Sequence, residues 1–264
     1  MIKANLLTIV SSLVVFCMAA SSANAAIRHH DVEYSTPDST MEGYIAYDNA
    51  KKSPQPAIII VHDWMGLADF QKHKADELAK QGYVTFAIDI YGKDVRPKNA
   101  DEAKVLATKY KSDRALLRSH IVAAYNKLIA MKRVDPNKIV VMGYCFGGTA
   151  ALELARSGVP LAGTVTFHGG LSNPTPEDAK NIHGAVLVLH GADDPFVPPA
   201  EVEAFKKEMN DAGINYTFIA YAGAVHAFAI PSAGDDPSKG MAYNASADKA
   251  SWAEFEKFLK KILE

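Results

Sequence analysis

The sequence predicts an α/β protein: a doubly wound, mainly parallel sheet with helices on both faces. Three observations carry this. Short runs rich in Val, Ile and Leu recur along the chain, as in Ala57–His62 (AIIIVH) and Lys138–Gly143 (KIVVMG). Strands buried on both faces read this way. Helix-like segments alternate with these runs, the pattern of βα units. The chain has 264 residues, 48% of them hydrophobic and 22% charged. That suits one large domain, here expected over residues 26–264.

The elements follow in order. Lys3 is the only charge before Arg28, Leu6–Ala20 is almost wholly apolar, and Ala23-Asn24-Ala25 has the small-x-small form of a cleavage site. Residues 1–25 read as a secretory signal peptide. The apolar run is shorter than the roughly 18 residues of a membrane-spanning helix. The chain is therefore expected to be exported, periplasmic or secreted, with no stable membrane association after cleavage. Val32–Tyr34 and Gly43–Tyr47 form a hairpin around Pro37-Asp38-Ser39. Ala57–His62 and Tyr83–Asp89 are buried strands. Between them Asp69–Gln81 is a helix stopped by Gly82, a residue suited to helix ends.

Ala100–Tyr110 and Asp113–Met131 are two further helices. The second has apolar residues at helical spacing (Leu116, Leu117, Ile121, Ala124, Leu128). Lys138–Gly143 is a strand and Gly147–Arg156 a helix. Leu161–His168, Ala185–His190 and Tyr216–Tyr221 are the remaining strands. A helix over Ala200–Ala212 starts after Pro198-Pro199, where proline is favoured. Asp248–Leu263 closes the chain as an amphipathic helix with Trp252, Phe255, Phe258 and Leu259 inward.

Composition excludes several classes. Net charge is −2 and there are two cysteines. A disordered chain, a disulfide scaffold and a paired-CxxC zinc site do not fit. No basic field points to nucleic acid. His29-His30 has no matching ligand set, so neither a metal site nor any other cofactor is expected. Loss of the leader removes Cys17 and leaves Cys145 as the only thiol.

Cys145 lies in Gly143-Tyr144-Cys145-Phe146-Gly147-Gly148, after the apolar strand and at the start of a helix. That is the setting of a nucleophile elbow, with Cys in the place usual for Ser. Small residues two before and two after avoid collisions in so tight a turn. The helix N-terminus favours thiolate over thiol. The Phe146 N–H would face an oxyanion formed by sulfur attack on a carbonyl.

A nucleophile of this kind needs a base, and the base an orienting acid. In such sheets the chain order is nucleophile, acid, histidine. His168 and His190 end apolar strands and read as buried, satisfied residues; His183 lies in a loop. His226, in the small-residue loop Gly223–Phe228 after the last strand, is the favoured base. Asp193 and Asp194, after Ala185–His190, are both candidate acids, and spacing does not separate them. Asp63 follows Ala57–His62 directly. The same loop is where the Trp64 N–H would complete an oxyanion hole.

GYCFGG (143–148), GADDPFVP (191–198), GAVHAF (223–228) and VHDWMGL (61–67) together resemble the dienelactone hydrolase family, over nearly all of the chain after the leader. The resemblance implies an α/β-hydrolase fold and a Cys-Asp-His triad of Cys145, Asp194 and His226, selecting Asp194 over Asp193. It implies a small-molecule ester or lactone as substrate. It places Asp63 at the family's auxiliary carboxylate, normally Glu, which interacts with the resting thiol. Family members that cleave dienelactone hold its carboxylate with two arginines; Lys93 and Ile230 stand at those places. Tyr91, Lys93, Phe196 and Phe228 are the expected substrate-pocket residues. The competing reading is a non-catalytic or redox-sensing protein on the same fold, using the thiol.

Overall fold

The computed structural model describes residues 26–263; the expected leader lies outside the described residues. Among the described residues, eight strands form one sheet in the order β1-β2-β4-β3-β5-β6-β7-β8. They are β1 (Ile27–Thr36), β2 (Ser39–Asp48), β3 (Gln55–Val61), β4 (Val84–Ile88), β5 (Val134–Tyr144), β6 (Gly163–Phe167), β7 (Ala185–Gly191) and β8 (Tyr216–Tyr221). β4-β3-β5-β6-β7-β8 is parallel throughout. β1 and β2 pair antiparallel, and β2 joins β4 antiparallel. The hairpin strands run longer than their apolar residues suggest, because one face of β1 stays exposed and carries polar residues. All five residues of β4 and of β6 are buried.

Six α-helices among the described residues cover the sheet: α1 (Asp69–Lys80), α2 (Ala100–Ser112), α3 (Arg114–Ile129), α4 (Phe146–Arg156), α5 (Pro199–Asp211) and α6 (Ala245–Leu263). Asn99 caps α2 by accepting the Glu102 N–H, and Asp113 caps α3 by accepting the Leu116 N–H. Leu78 of α1 and Phe255 and Leu259 of α6 build the core on one face. Leu117, Ile121 and Leu128 of α3, Leu152 of α4 and Phe205 of α5 build it on the other. α6 starts three residues earlier than periodicity predicts, and Trp252 and Phe258 are half-buried rather than inward. Arg156 of α4 is wholly buried; its guanidinium makes two bonds of 2.9 Å to Glu208 of α5 and one of 3.1 Å to Glu153. That pairing fixes α5 against α4 while keeping the buried charge matched.

Besides His226, four histidines, His62, His120, His168 and His190, are buried among the described residues. Burial lowers the affinity of each for a proton, to a pKa of about 4 for His62 and well below the usual value for His168. A group whose folded pKa lies below its unfolded one stabilises the fold above the unfolded value. That stability is lost as pH falls from about 6.5 through the folded value. His62 alone then removes about 3 kcal/mol. Asp89, pushed up to about 6 by burial, and Asp63 and Asp248, raised by the same cause, act in the opposite sense and offset part of this loss. Thermal midpoints measured from pH 7 to 4 are therefore expected to fall steadily; a flat series contradicts this account.

Candidate active site

The C-terminal ends of β3, β5 and β7 meet at one edge of the sheet, where open α/β sheets bind ligands. β5 runs into α4 through Cys145, whose φ is +54°. Such a backbone is costly for a non-glycine residue and persists only where its surroundings enforce it. The glycines show what enforces it. A Cβ on Gly143 would lie 2.0 Å from the Gly147 carbonyl oxygen, and one on Gly147 would lie 2.4 Å from the Val61 carbonyl oxygen. The elbow thus needs glycine because backbone packs on backbone, not to keep side chains apart. Gly148, which the turn alone does not demand, is equally confined: its Cβ would meet Thr166 Oγ1 at 2.2 Å.

Cys145 Sγ lies 3.0 Å from His226 Nε2, and His226 Nδ1 lies 2.7 Å from Asp194 Oδ2. The second Asp194 oxygen accepts the Phe196 N–H at 2.8 Å. Asp193 turns away; its carboxylate accepts the Gly223 N–H at 3.0 Å and ties down the histidine loop. His226 is held from behind. Its N–H donates to Gly240 and its carbonyl accepts the Ala242 N–H, so 240–242 straps the loop in place. Burial opposes a charged His226, but the Cys145 sulfur and the Asp194 carboxylate outweigh it and push the imidazole up to about 10. A protonated imidazole facing sulfur across 3.0 Å is the resting arrangement this favours.

The Trp64 and Phe146 N–H groups make no hydrogen bond to another described residue. Asp63 lies in the same cavity as Cys145 but does not bond to its sulfur. Its oxygens accept the Met65 N–H at 2.7 Å and the Gln71 amide at 3.1 Å, and Gln71 in turn accepts the Ala68 N–H. Burial raises its pKa. The buried Gln71 thereby holds the loop that presents Trp64. A second support comes from further off. Tyr34 of β1 bonds both backbone groups of Asp89, whose carboxylate accepts the Tyr91 and Gly92 N–H groups. Tyr91 then donates to the Trp64 carbonyl at 3.0 Å.

The pocket expectations need correction. Phe196 does line the cavity, 56% exposed and edge-on to His226. Tyr91 does not; it is buried behind Phe146 and stacks on Tyr110. Phe228 is fully buried against His168 and Tyr221 beneath the site. Lys93 points to the hairpin and pairs with Glu33 and Glu42, so it is no substrate contact. His168 is buried as expected, yet neither ring nitrogen has a hydrogen-bond partner; its ring meets His226 edge-on. Lys104, Thr108 and Lys111 of α2, with Thr149, Gly170 and Met241, line the cavity and were not anticipated. The 4- and 3-residue steps along α2 put its three on one helix face, but nothing local says which face meets the elbow.

The dienelactone hydrolase family model matches residues 41–263. The chain belongs to the dienelactone hydrolase family. It is a hydrolase of the α/β-hydrolase fold. The solved structure of the dienelactone hydrolase-like promiscuous phosphotriesterase P91, from metagenomic libraries, is 34% identical, with a TM-score of 0.86 over 90% of this chain and 99% of its own. A solved structure named m3DLH is 32% identical, with a TM-score of 0.87 over 90% and 100%. A putative carboxymethylenebutenolidase of Saccharolobus solfataricus is 26% identical over 274 residues, 88% of this chain and 98% of its own. Among the described residues of this dienelactone hydrolase family member, no helix is long and apolar enough to cross a membrane. No cluster of three or more His, Cys, Asp or Glu side chains there is placed to hold a metal ion.

Proposed function

We propose that this chain hydrolyses small carboxylic esters or lactones with Cys145 as nucleophile. The observation that carries the reading is the continuous contact from sulfur to imidazole to carboxylate, 3.0 Å and 2.7 Å. Sulfur attacks the substrate carbonyl carbon, and the carbonyl electron pair moves to oxygen. The Phe146 and Trp64 N–H groups are free to donate to that oxyanion. Collapse breaks the carbon–oxygen bond, and His226 gives its proton to the departing alkoxide. A thioester remains on Cys145. His226 then takes a proton from water, whose oxygen attacks the thioester; collapse releases the acid and restores the thiolate beside the protonated imidazole. Asp194 keeps the Nδ1–H tautomer and stabilises the imidazolium. In a lactone the alcohol stays tethered to the acyl group. The family match and the printed name of the Saccharolobus relative support this substrate class.

A sensor thiol has no use for a buried carboxylate behind its histidine, which argues for acyl transfer over the redox reading. Export remains part of the proposal, supported by the pattern of residues 1–25. One mass measurement tests both. The protein recovered from cells is offered a panel of esters and lactones, quenched in acid and digested. An acyl mass increment is expected on the peptide holding Cys145, and the N-terminal peptide is expected to begin at Ala26. Turnover with no increment on Cys145 contradicts the nucleophile, and a recovered chain that keeps residues 1–25 contradicts cleavage.

A further inference from the structure

The cavity at Cys145 has two lobes, one of about 420 Å³ and one of about 190 Å³. They share Trp64, Cys145, His226 and Met241. Their chemistry differs. Next to the sulfur, the larger lobe is walled by Ala107, Phe146, Phe196 and Val197, and its α2 side carries Lys104 and Lys111. Neither lysine makes a hydrogen bond or ion pair among the described residues. Lys111 Nζ leans over the glycine wall, 3.7 Å from where a Cβ on Gly170 would sit. Seven residues of helix separate the two by about 10 Å along the axis. Asp63 and Ser232 line only the smaller lobe, which has no lysine or arginine.

This asymmetry orients a charged substrate. An anion is drawn to the α2 end of the larger lobe and repelled by Asp63 in the smaller one. The apolar walls between sulfur and lysines suit a hydrocarbon spacer, since a polar chain there would lose its hydration. The smaller lobe is also walled by Ala227, Ile230 and Ala233, the loop that follows His226. His226 faces both lobes and can protonate a departing oxygen in either, so charge decides: Asp63 leaves the smaller lobe to the uncharged alcohol.

We infer that the larger lobe takes an acyl group made of an apolar spacer ending in a carboxylate, held by Lys104 and Lys111, with a small alcohol in the smaller lobe. The favoured substrate is thus a monoester of a dicarboxylic acid. This rests on the acyl chemistry proposed for Cys145. It also moves the source of positive charge away from the places the family resemblance suggests. Lys93 is paired elsewhere, and Ile230 carries no charge.

The test compares the p-nitrophenyl monoester of adipic acid with p-nitrophenyl hexanoate, alike in chain length and different in terminal charge. The ratio of their kcat/KM values is read in the wild type, in Lys104→Gln/Lys111→Gln and in Lys109→Gln. Lys109 carries the same charge change on the same helix but does not line the cavity. The ratio is expected to fall about tenfold in the double variant and to hold in Lys109→Gln. An unchanged ratio in the double variant overturns the inference. If the wild type cleaves neither ester, the acyl chemistry fails, and a second measurement still judges the subsite. Adipate is expected to slow alkylation of Cys145 by uncharged iodoacetamide in the wild type, and to lose that protection in the double variant. Equal protection in both overturns the inference without reference to turnover.

Discussion

Cys145→Ala is expected to lower kcat/KM for ester hydrolysis by about a thousandfold to ten-thousandfold. The sulfur is the atom proposed to carry the acyl group. It stands 3.0 Å from the base that would serve it. What survives is the catalysis that the two free N–H groups and binding supply on their own. Alanine keeps a Cβ and so suffers the same positive φ as cysteine does. The fold is therefore expected to persist, and the loss to be chemical. A second readout follows from electrostatics. Sulfur is one of the two groups that hold the His226 imidazole up, the other being Asp194. In Cys145→Ala the His226 titration, followed by NMR, moves down. Near-wild-type turnover in this variant would end the thiol reading, and an unmoved His226 titration would end the account of its coupling to sulfur.

Asp194→Asn is expected to cost about a thousandfold or more in kcat, with the structure intact. The Asp194 side chain is buried and bonds to His226 at 2.7 Å and to the Phe196 N–H at 2.8 Å. An amide of the same shape can turn its NH2 toward the ring and force the wrong tautomer. It also removes the negative charge that the imidazolium needs in a site shielded from water. Asp193→Asn is the natural contrast. Its carboxylate accepts one backbone N–H at the loop and does not touch His226. Its loss is expected to stay below about tenfold, as for a turn residue. The two neighbours differ by one position in sequence and by their direction in space. Equal effects would mean the relay is not what drives turnover.

The parts of the molecule legible in the sequence are those whose cause is local. β3 and β7 and the second half of β5 are apolar runs, whereas the polar start of β5 (Asp135, Pro136, Asn137) is not read as strand; α1 ends just ahead of Gly82, whose φ is +103°. The elbow is local too, because its glycines, strand and helix are contiguous. Asp194 was separable from Asp193 only through the family's motif, since both follow the same strand. The misplaced residues share another property. Lys93, Tyr91 and Phe228 sit close in sequence to the strand ends or to His226, but their direction is set by distant partners. Glu33 and Glu42 draw Lys93 to the hairpin, Trp64 holds Tyr91 behind the wall, and His168 receives Phe228 below. Met241 enters the site because 240–242 returns to bond His226, a pairing that no local pattern announces. The lysines of α2 look like an ordinary solvated face until the helix is docked.

The relay from Tyr34 through Asp89 and Tyr91 to Trp64 changes where the working part of this enzyme begins. The family match starts at residue 41, and Tyr34 lies ahead of it. An edge strand is linked through hydrogen bonds to the Trp64 backbone, the proposed donor to the substrate's oxygen. Any trimmed or permuted version meant for engineering has to retain that outermost ribbon.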